Sequence, residues 1–129
     1  MSYQHAANAY RRTQAEAGTP LELVVMLYDG ALRFLTQAQD AMAQRDVKAR
    51  HIALDKTFAI IEHLQGTLDL DRGGAVAAEL DRLYSYMSGR LLDGAARNDP
   101  GPLKEVTGLL ANLRDAWHSI AGAPAGAQP

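Results

Sequence analysis

Thr19-Pro20-Leu21-Glu22, followed by Leu23-Val24-Val25-Met26-Leu27-Tyr28-Asp29-Gly30-Ala31-Leu32-Arg33-Phe34-Leu35, decides the fold. Thr19 is a residue that caps backbone amides, Pro20 suits the first helical position because its missing N–H is an orphan there, and Glu22 completes a capping box. Within the helix that follows, Val24, Tyr28, Ala31, Leu35, Ala38 and Met42 form one stripe at spacings of three and four. Leu23, Leu27 and Phe34 form a second stripe beside it. One stripe packs a bundle, and the second is either additional core or a face that needs another partner.

Working outward, this first helix spans about Thr19 to Arg45, and Asp46-Val47 makes a short turn. Leu54, Phe58, Ile61, Leu64 and Leu68 then mark the buried side of a second helix that ends near Asp69. Asp69-Leu70-Asp71-Arg72-Gly73-Gly74 has the chemistry of a turn. Val76, Leu80, Leu83, Met87 and Leu91 define a third helix, with Tyr84 beside that stripe and Tyr86 on another face. Asn98-Asp99-Pro100-Gly101-Pro102 stops it and starts a fourth, along which Leu103, Val106, Leu110, Leu113, Trp117 and Ile120 repeat in a clean heptad. No segment alternates like a strand. The pattern predicts an all-α, antiparallel up-down four-helix bundle over residues 19–120. Residues 1–18 read as a mobile N-terminal arm and 121–129 as a disordered tail of Ala, Gly, Pro and Gln. Gly30, Gly89, Gly94 and Gly108 interrupt helices at up to about 1 kcal/mol each, and are expected to allow close approach of helices or of a bound chain.

Composition removes several classes of function. With a net charge of −2 and no clustered run of Lys or Arg, there is no electrostatic footprint for a polyanion such as nucleic acid. The absence of cysteine excludes disulfides, thiolate catalysis and cysteine-based metal sites. The amino terminus lacks a basic and apolar secretory leader, and no apolar run approaches the roughly 20 residues that span a bilayer, so a cytoplasmic protein is expected.

Titratable residues read as structural. Asp29 sits inside an apolar run, where a carboxylate requires a partner, and Arg33 at i+4 or Arg114 in the last helix can provide one. His51 and Asp55 share a helix face without a third and fourth metal ligand, Glu62 and His63 are adjacent and diverge, and Asp69-x-Asp71 lacks the later ligands of a calcium loop. No phosphate loop or nucleophile elbow is present. No cofactor, metal or catalytic residue is expected. An enzyme-class alternative, a hydrolase or oxygen-activating site in the bundle core, would show bound iron, manganese or zinc.

Asn8-Ala9-Tyr10, Thr19-Pro20-Leu21-Glu22, Met26-Leu27-Tyr28-Asp29-Gly30-Ala31, Leu68-Asp69 before Gly73-Gly74, Leu83-Tyr84 with Tyr86-Met87 and Arg90-Leu91, and Leu113-Arg114-Asp115-Ala116-Trp117 occur in this order. Together they resemble the flagellin export chaperone family over roughly residues 8 to 118. The chain departs from the usual pattern at the stiff link Pro100-Gly101-Pro102 and in its tail. The resemblance implies a chaperone, not an enzyme, that binds the carboxy-terminal segment of flagellin without ATP and presents it to the flagellar export apparatus. It also implies an amino-terminal arm that covers part of the apolar surface until cargo arrives, with Tyr10 matching the arm's motif. The set expected to meet a partner, through groove and arm, is Tyr10, Leu23, Leu27, Tyr28, Phe34, Tyr84, Met87 and Leu91. For Leu23, Leu27 and Phe34 a core role stands beside this one, as a bundle-edge role does for the tyrosines. The same groove would accept another amphipathic helix, such as that of a different export substrate or a flagellar regulatory protein. A spare apolar face is also a homodimer face, so monomer and weak homodimer both remain open.

Overall fold

The computed structural model describes residues 20–121, with side chains described for 21–119. These form four helices: α1 (Pro20–Ala43), α2 (Val47–Gly66), α3 (Leu70–Arg97) and α4 (Pro100–Ala121). Each packs against its neighbours in the chain, and α1 also packs against α4, so the four helices close a ring. Short connections make successive helices antiparallel, as the up-down reading requires. Thr19, the arm and the tail lie outside the described residues.

Pro20 opens α1, and the first stripe becomes the centre of the core. Tyr28, Ala31, Leu35 and Ala38 are fully buried, Met42 is nearly so, and Val24 packs at the edge. Leu54, Ile61 and Leu64 from α2 meet them, as do Leu103, Val106 and Leu110 from α4. Thr57 is also completely buried, because its hydroxyl is satisfied by donating to the Ala53 carbonyl at 3.0 Å.

The turns are closed by named groups. Asp46 caps α2, its Oδ1 accepting from the Ala49 amide at 3.0 Å, and Asp69 caps α3 through the Arg72 amide at 3.1 Å. At the end of α1 the amides of Arg45 and Asp46 donate to the carbonyls of Met42 and Ala41. At the end of α3 those of Asn98 and Asp99 donate to Ala95 and Gly94 in the same paired pattern. Arg45 (φ 57°) and Asn98 (φ 49°) hold the left-handed position that this helix end requires.

The third stripe differs from its expected register. Gly74 adopts φ 54° and ψ −129°, which breaks α3 after its capped first turn. The segment Asp69–Gly74 is thus one helical turn and a kink, where a plain turn was expected. Beyond the kink the buried line is Ala77, Tyr84, Met87, Leu91 and Gly94, while Val76 stands 70% exposed. Projecting the stripe back from Leu91 to Val76 placed Val76 on the core side, and the kink and the small core residues shift the line by one position.

The interrupting glycines divide. Gly30 lies against Ile60, and Gly94 is tighter still: a Cβ there would sit 2.8 Å from Leu103 Cδ1 and 2.9 Å from the Asp99 carbonyl oxygen. Gly89 and Gly108 have nothing within 4 Å and serve no close helix approach. Gly94→Ala should therefore cost about 1–3 kcal/mol by overpacking, whereas Gly108→Ala should add up to about 1 kcal/mol of helix propensity. Thermal melts of the two variants, followed by circular dichroism, should move in opposite directions.

Candidate functional site

At the end of the bundle where α1 and α3 begin and α2 and α4 finish lies an apolar cavity of 250 Å³. Leu64 and Leu68 form one wall, from α2 and the turn after it, and Val76, Ala77 and Leu80 form the facing wall on α3. Val24 of α1 and Trp117 of α4 complete the enclosure, and Asp69 and Arg72 supply polar groups. The kink at Gly74 carries the chain between Gly73 and Val76 along this wall, so the feature that exposes Val76 also shapes the cavity.

Tyr84 lines the cavity and is buried. Its hydroxyl hydrogen-bonds that of Tyr28, which accepts from Trp117 Nε1 at 3.2 Å. Two phenols and an indole thus satisfy one another where α1, α3 and α4 converge, which lets aromatic groups with polar tips sit in an apolar interior. The result is a wall of fixed shape, suited to receiving aliphatic side chains.

Polar pairs hold the helices around it. Arg114 Nε meets Asp29 Oδ1 at 2.8 Å, so the carboxylate in the apolar run is paired across the bundle, with the arginine of α4 rather than with Arg33. That bond to Asp29 raises the Arg114 pKa above its ordinary value. Gln65 Nε2 donates to Asp81 Oδ1 and Ser85 Oγ, both at 2.9 Å, joining α2 to α3. Along the α3–α4 seam Tyr86 Oη donates to Glu105 Oε2, and Arg90 Nε donates to Glu105 Oε1 at 2.7 Å. Arg90 also meets Asp93, which Arg97 joins in turn.

The Tyr86 hydrogen bond and then the Arg90 bond hold the Glu105 carboxyl below its ordinary pKa of 4.5. The same carboxylate raises the pKa of Tyr86 and of Arg90. A carboxyl depressed in the folded state stabilises the fold above its unfolded pKa and loses that contribution as pH falls through the folded value. Glu105→Gln should accordingly melt below the wild type at pH 7, with the gap closing as pH falls through the lowered Glu105 value. A gap independent of pH would assign Glu105 a packing role instead.

Among the described residues expected to meet a partner, Tyr84 alone lines the cavity. Tyr28, Met87 and Leu91 are fully buried in the core, where they support the bundle from within. Leu23, Leu27 and Phe34 are half-buried, with Leu27 packed on the core. The Phe34 ring is covered by the Arg33 guanidinium and the Lys56 ammonium, each 5.2 Å from its centroid, so it forms no bare apolar groove. Tyr10 lies outside the described residues. Leu68, Val76, Leu80 and Trp117 were read only as helix stripes, and the Gly73-Gly74 pair beside Val76 was the available sign of a break that would expose it.

His51 Nε2 stands 3.3 Å from Asp55 Oδ2 on an exposed face of α2. Among the described residues no three His, Asp or Glu side chains gather as metal ligands, and no helix is long and apolar enough to cross a membrane.

The family model described as Flagellar protein FliS matches residues 3–124. The chain is 40% identical over 117 residues to the flagellar secretion chaperone FliS of Salmonella typhimurium, covering 87% of each chain. It is 36% identical over 119 residues to the flagellar secretion chaperone FliSB of Pseudomonas aeruginosa, covering 89% of this chain and 94% of that one. With the flagellar secretion chaperone FliS of Bacillus subtilis it shares 36% identity over 117 residues, 91% of this chain and 86% of the relative.

Proposed function

The chain belongs to the FliS family of flagellar secretion chaperones, and from that premise we propose that it holds the carboxy-terminal segment of flagellin in the cytoplasm and presents it to the flagellar export apparatus. The observation that carries this reading is the 250 Å³ apolar cavity at the end of the bundle where α1 begins, with the exposed Val76 at its wall.

A filament subunit whose terminal segment is unfolded as a monomer exposes apolar side chains, and early pairing of such segments would polymerise them before export. A chaperone prevents this by burying those side chains reversibly. The cavity walls at Leu68, Val76, Leu80 and Trp117 provide apolar surface against which an amphipathic helix of the cargo can seat its anchors. Ordering the cargo consumes part of the interaction energy, so a broad interface can still release at the export gate. The work is burial, with no bond made or broken and no cofactor. In this reading residues 1–18, including Tyr10, cover part of the apolar surface until flagellin displaces them.

Calorimetric titration of the full chain with flagellin, beside flagellin lacking its carboxy-terminal segment, tests the proposal. Tight binding only to the intact cargo, with a large negative heat-capacity change, is expected. Equal binding to both forms, or to neither, would overturn it and direct attention to another amphipathic partner.

A further inference from the structure

Among the described residues that wall the cargo cavity, the one supplied by α4 is anchored least. Leu64 of α2 and Ala77 of α3 are buried, and the turn between them is fixed by the Asp69 cap on the Arg72 amide. Val24 of α1 lies beside Val25 and one turn before Tyr28, both of them buried. Trp117 has no such support. From Ala111 to Ser119 no residue of α4 is buried, and the nearest buried one, Leu110, lies two turns earlier. Within this stretch Leu113 and Trp117 pack against the core but stay partly exposed.

Two polar bonds tie the same stretch to α1. Arg114 Nε donates to Asp29 Oδ1 at 2.8 Å, and Trp117 Nε1 donates to Tyr28 Oη at 3.2 Å. The Arg114 and Asp29 side chains are 30% and 44% exposed, so water competes for both ends of the ion pair and the pair holds weakly. The indole bond is at the long end of the usual range. When it opens, the Trp117 N–H turns to water from a partly exposed ring, and the buried Tyr28 hydroxyl keeps its bond to Tyr84. Parting the end of α4 from α1 therefore leaves no buried polar group unmatched. What it gives up is the apolar contact of Leu113 and Trp117, which aliphatic side chains of an incoming helix can replace.

Size supplies the reason for such movement. An apolar cavity of about 150 Å³ takes one benzene, so 250 Å³ admits one or two side chains. An amphipathic helix presents a longer row of anchors, at i, i+3, i+4 and i+7, and seating them requires one wall to yield. We propose that α4 beyond Leu110 is a hinged wall, closed in the free chaperone by the Asp29–Arg114 pair, and that cargo enters by displacing Trp117 from Tyr28. While both bonds hold, the wall has one fixed shape. Cargo favours the open form because that form alone offers it the full apolar contact. Asp29 and Arg114 are positioning residues that set how readily the wall opens, and Trp117 is the group that cargo replaces. The entry step rests on the cavity being the seat of flagellin.

The chain's single tryptophan reports on this wall directly. In the free chaperone, Asp29→Ala should raise acrylamide quenching of Trp117 about twofold or more and speed amide exchange over residues 114–118 about tenfold. Amides over residues 103–110 of the same helix should keep their wild-type protection. Arg114→Lys, which retains the charge but not the planar fork, should fall between. Equal acceleration in both halves of α4, or unchanged quenching and exchange, would overturn the hinge. In stopped-flow mixing with flagellin, Asp29→Ala should raise the association rate constant about threefold or more. A loosened wall with an unchanged or slower association rate would show that cargo does not enter here. Failure of the wild type to bind flagellin at all would instead remove the flagellin reading, and the free-chaperone measurements would then decide the hinge alone. Should Asp29→Ala fail to fold, Arg114→Gln breaks the same pair from the α4 side.

Discussion

Val76→Asp is expected to weaken flagellin binding by about 30-fold or more while leaving the helical signal and melting temperature close to wild type. The residue is 70% exposed, so the folded protein loses little buried area when it changes. Its position also favours a carboxylate. Helix α3 restarts after the kink at Gly74, and an acidic residue in the first turn of a helix interacts well with the orphan amides and the helix dipole. In the complex the balance reverses, because the wall that Val76 shares with Leu68 and Leu80 would have to cover an unpaired carboxylate. Even a modest desolvation penalty of about 2 kcal/mol corresponds to about 30-fold in affinity. Val76→Ala, which removes only two methyl groups, should cost a few-fold. Circular dichroism and calorimetry on the same samples separate the outcomes. Unchanged affinity in Val76→Asp would remove the cavity from the cargo interface, and parallel loss of helix would return Val76 to the fold.

Much of the bundle was legible because its helices obey one period over long runs. The stripes of α1 and α4 became core almost residue for residue, since nothing interrupts their backbones between cap and end. The pairing of Asp29 was legible for a different reason: a carboxylate in an apolar run requires a cation, and Arg114 was one of two that could reach it. The cavity was not legible. It is built where four helix ends converge, from residues as distant as Val24 and Trp117, and local periodicity carries no information about such an assembly. The α3 register failed in part because Ala77 and Gly94, both core positions, carry no weight in a pattern of large apolar residues. The conformation of Gly74 further broke the period behind Val76.

Leu91→Ala and Leu92→Ala test that distinction between pattern and burial most sharply, because the two leucines are neighbours in sequence and opposites in the fold. Leu91 is fully buried among the core side chains of all four helices, while Leu92 is 60% exposed. Truncating a buried leucine loses the transfer energy of the removed atoms and leaves a cavity that tight packing only partly fills, a loss of about 3 kcal/mol. For a chain of 129 residues that corresponds to a fall of roughly 10 °C in melting temperature. Leu92→Ala, on the surface, should stay within about 0.5 kcal/mol of wild type. The pair also settles how Leu91, expected from the sequence to face a partner, affects cargo. Measured well below the melting transition, where Leu91→Ala is still folded, its flagellin affinity should match the wild type within a few-fold. A large loss of affinity with an unshifted melt would instead mean that α3 turns this face outward when cargo binds, and that the buried position of Leu91 belongs only to the free chaperone.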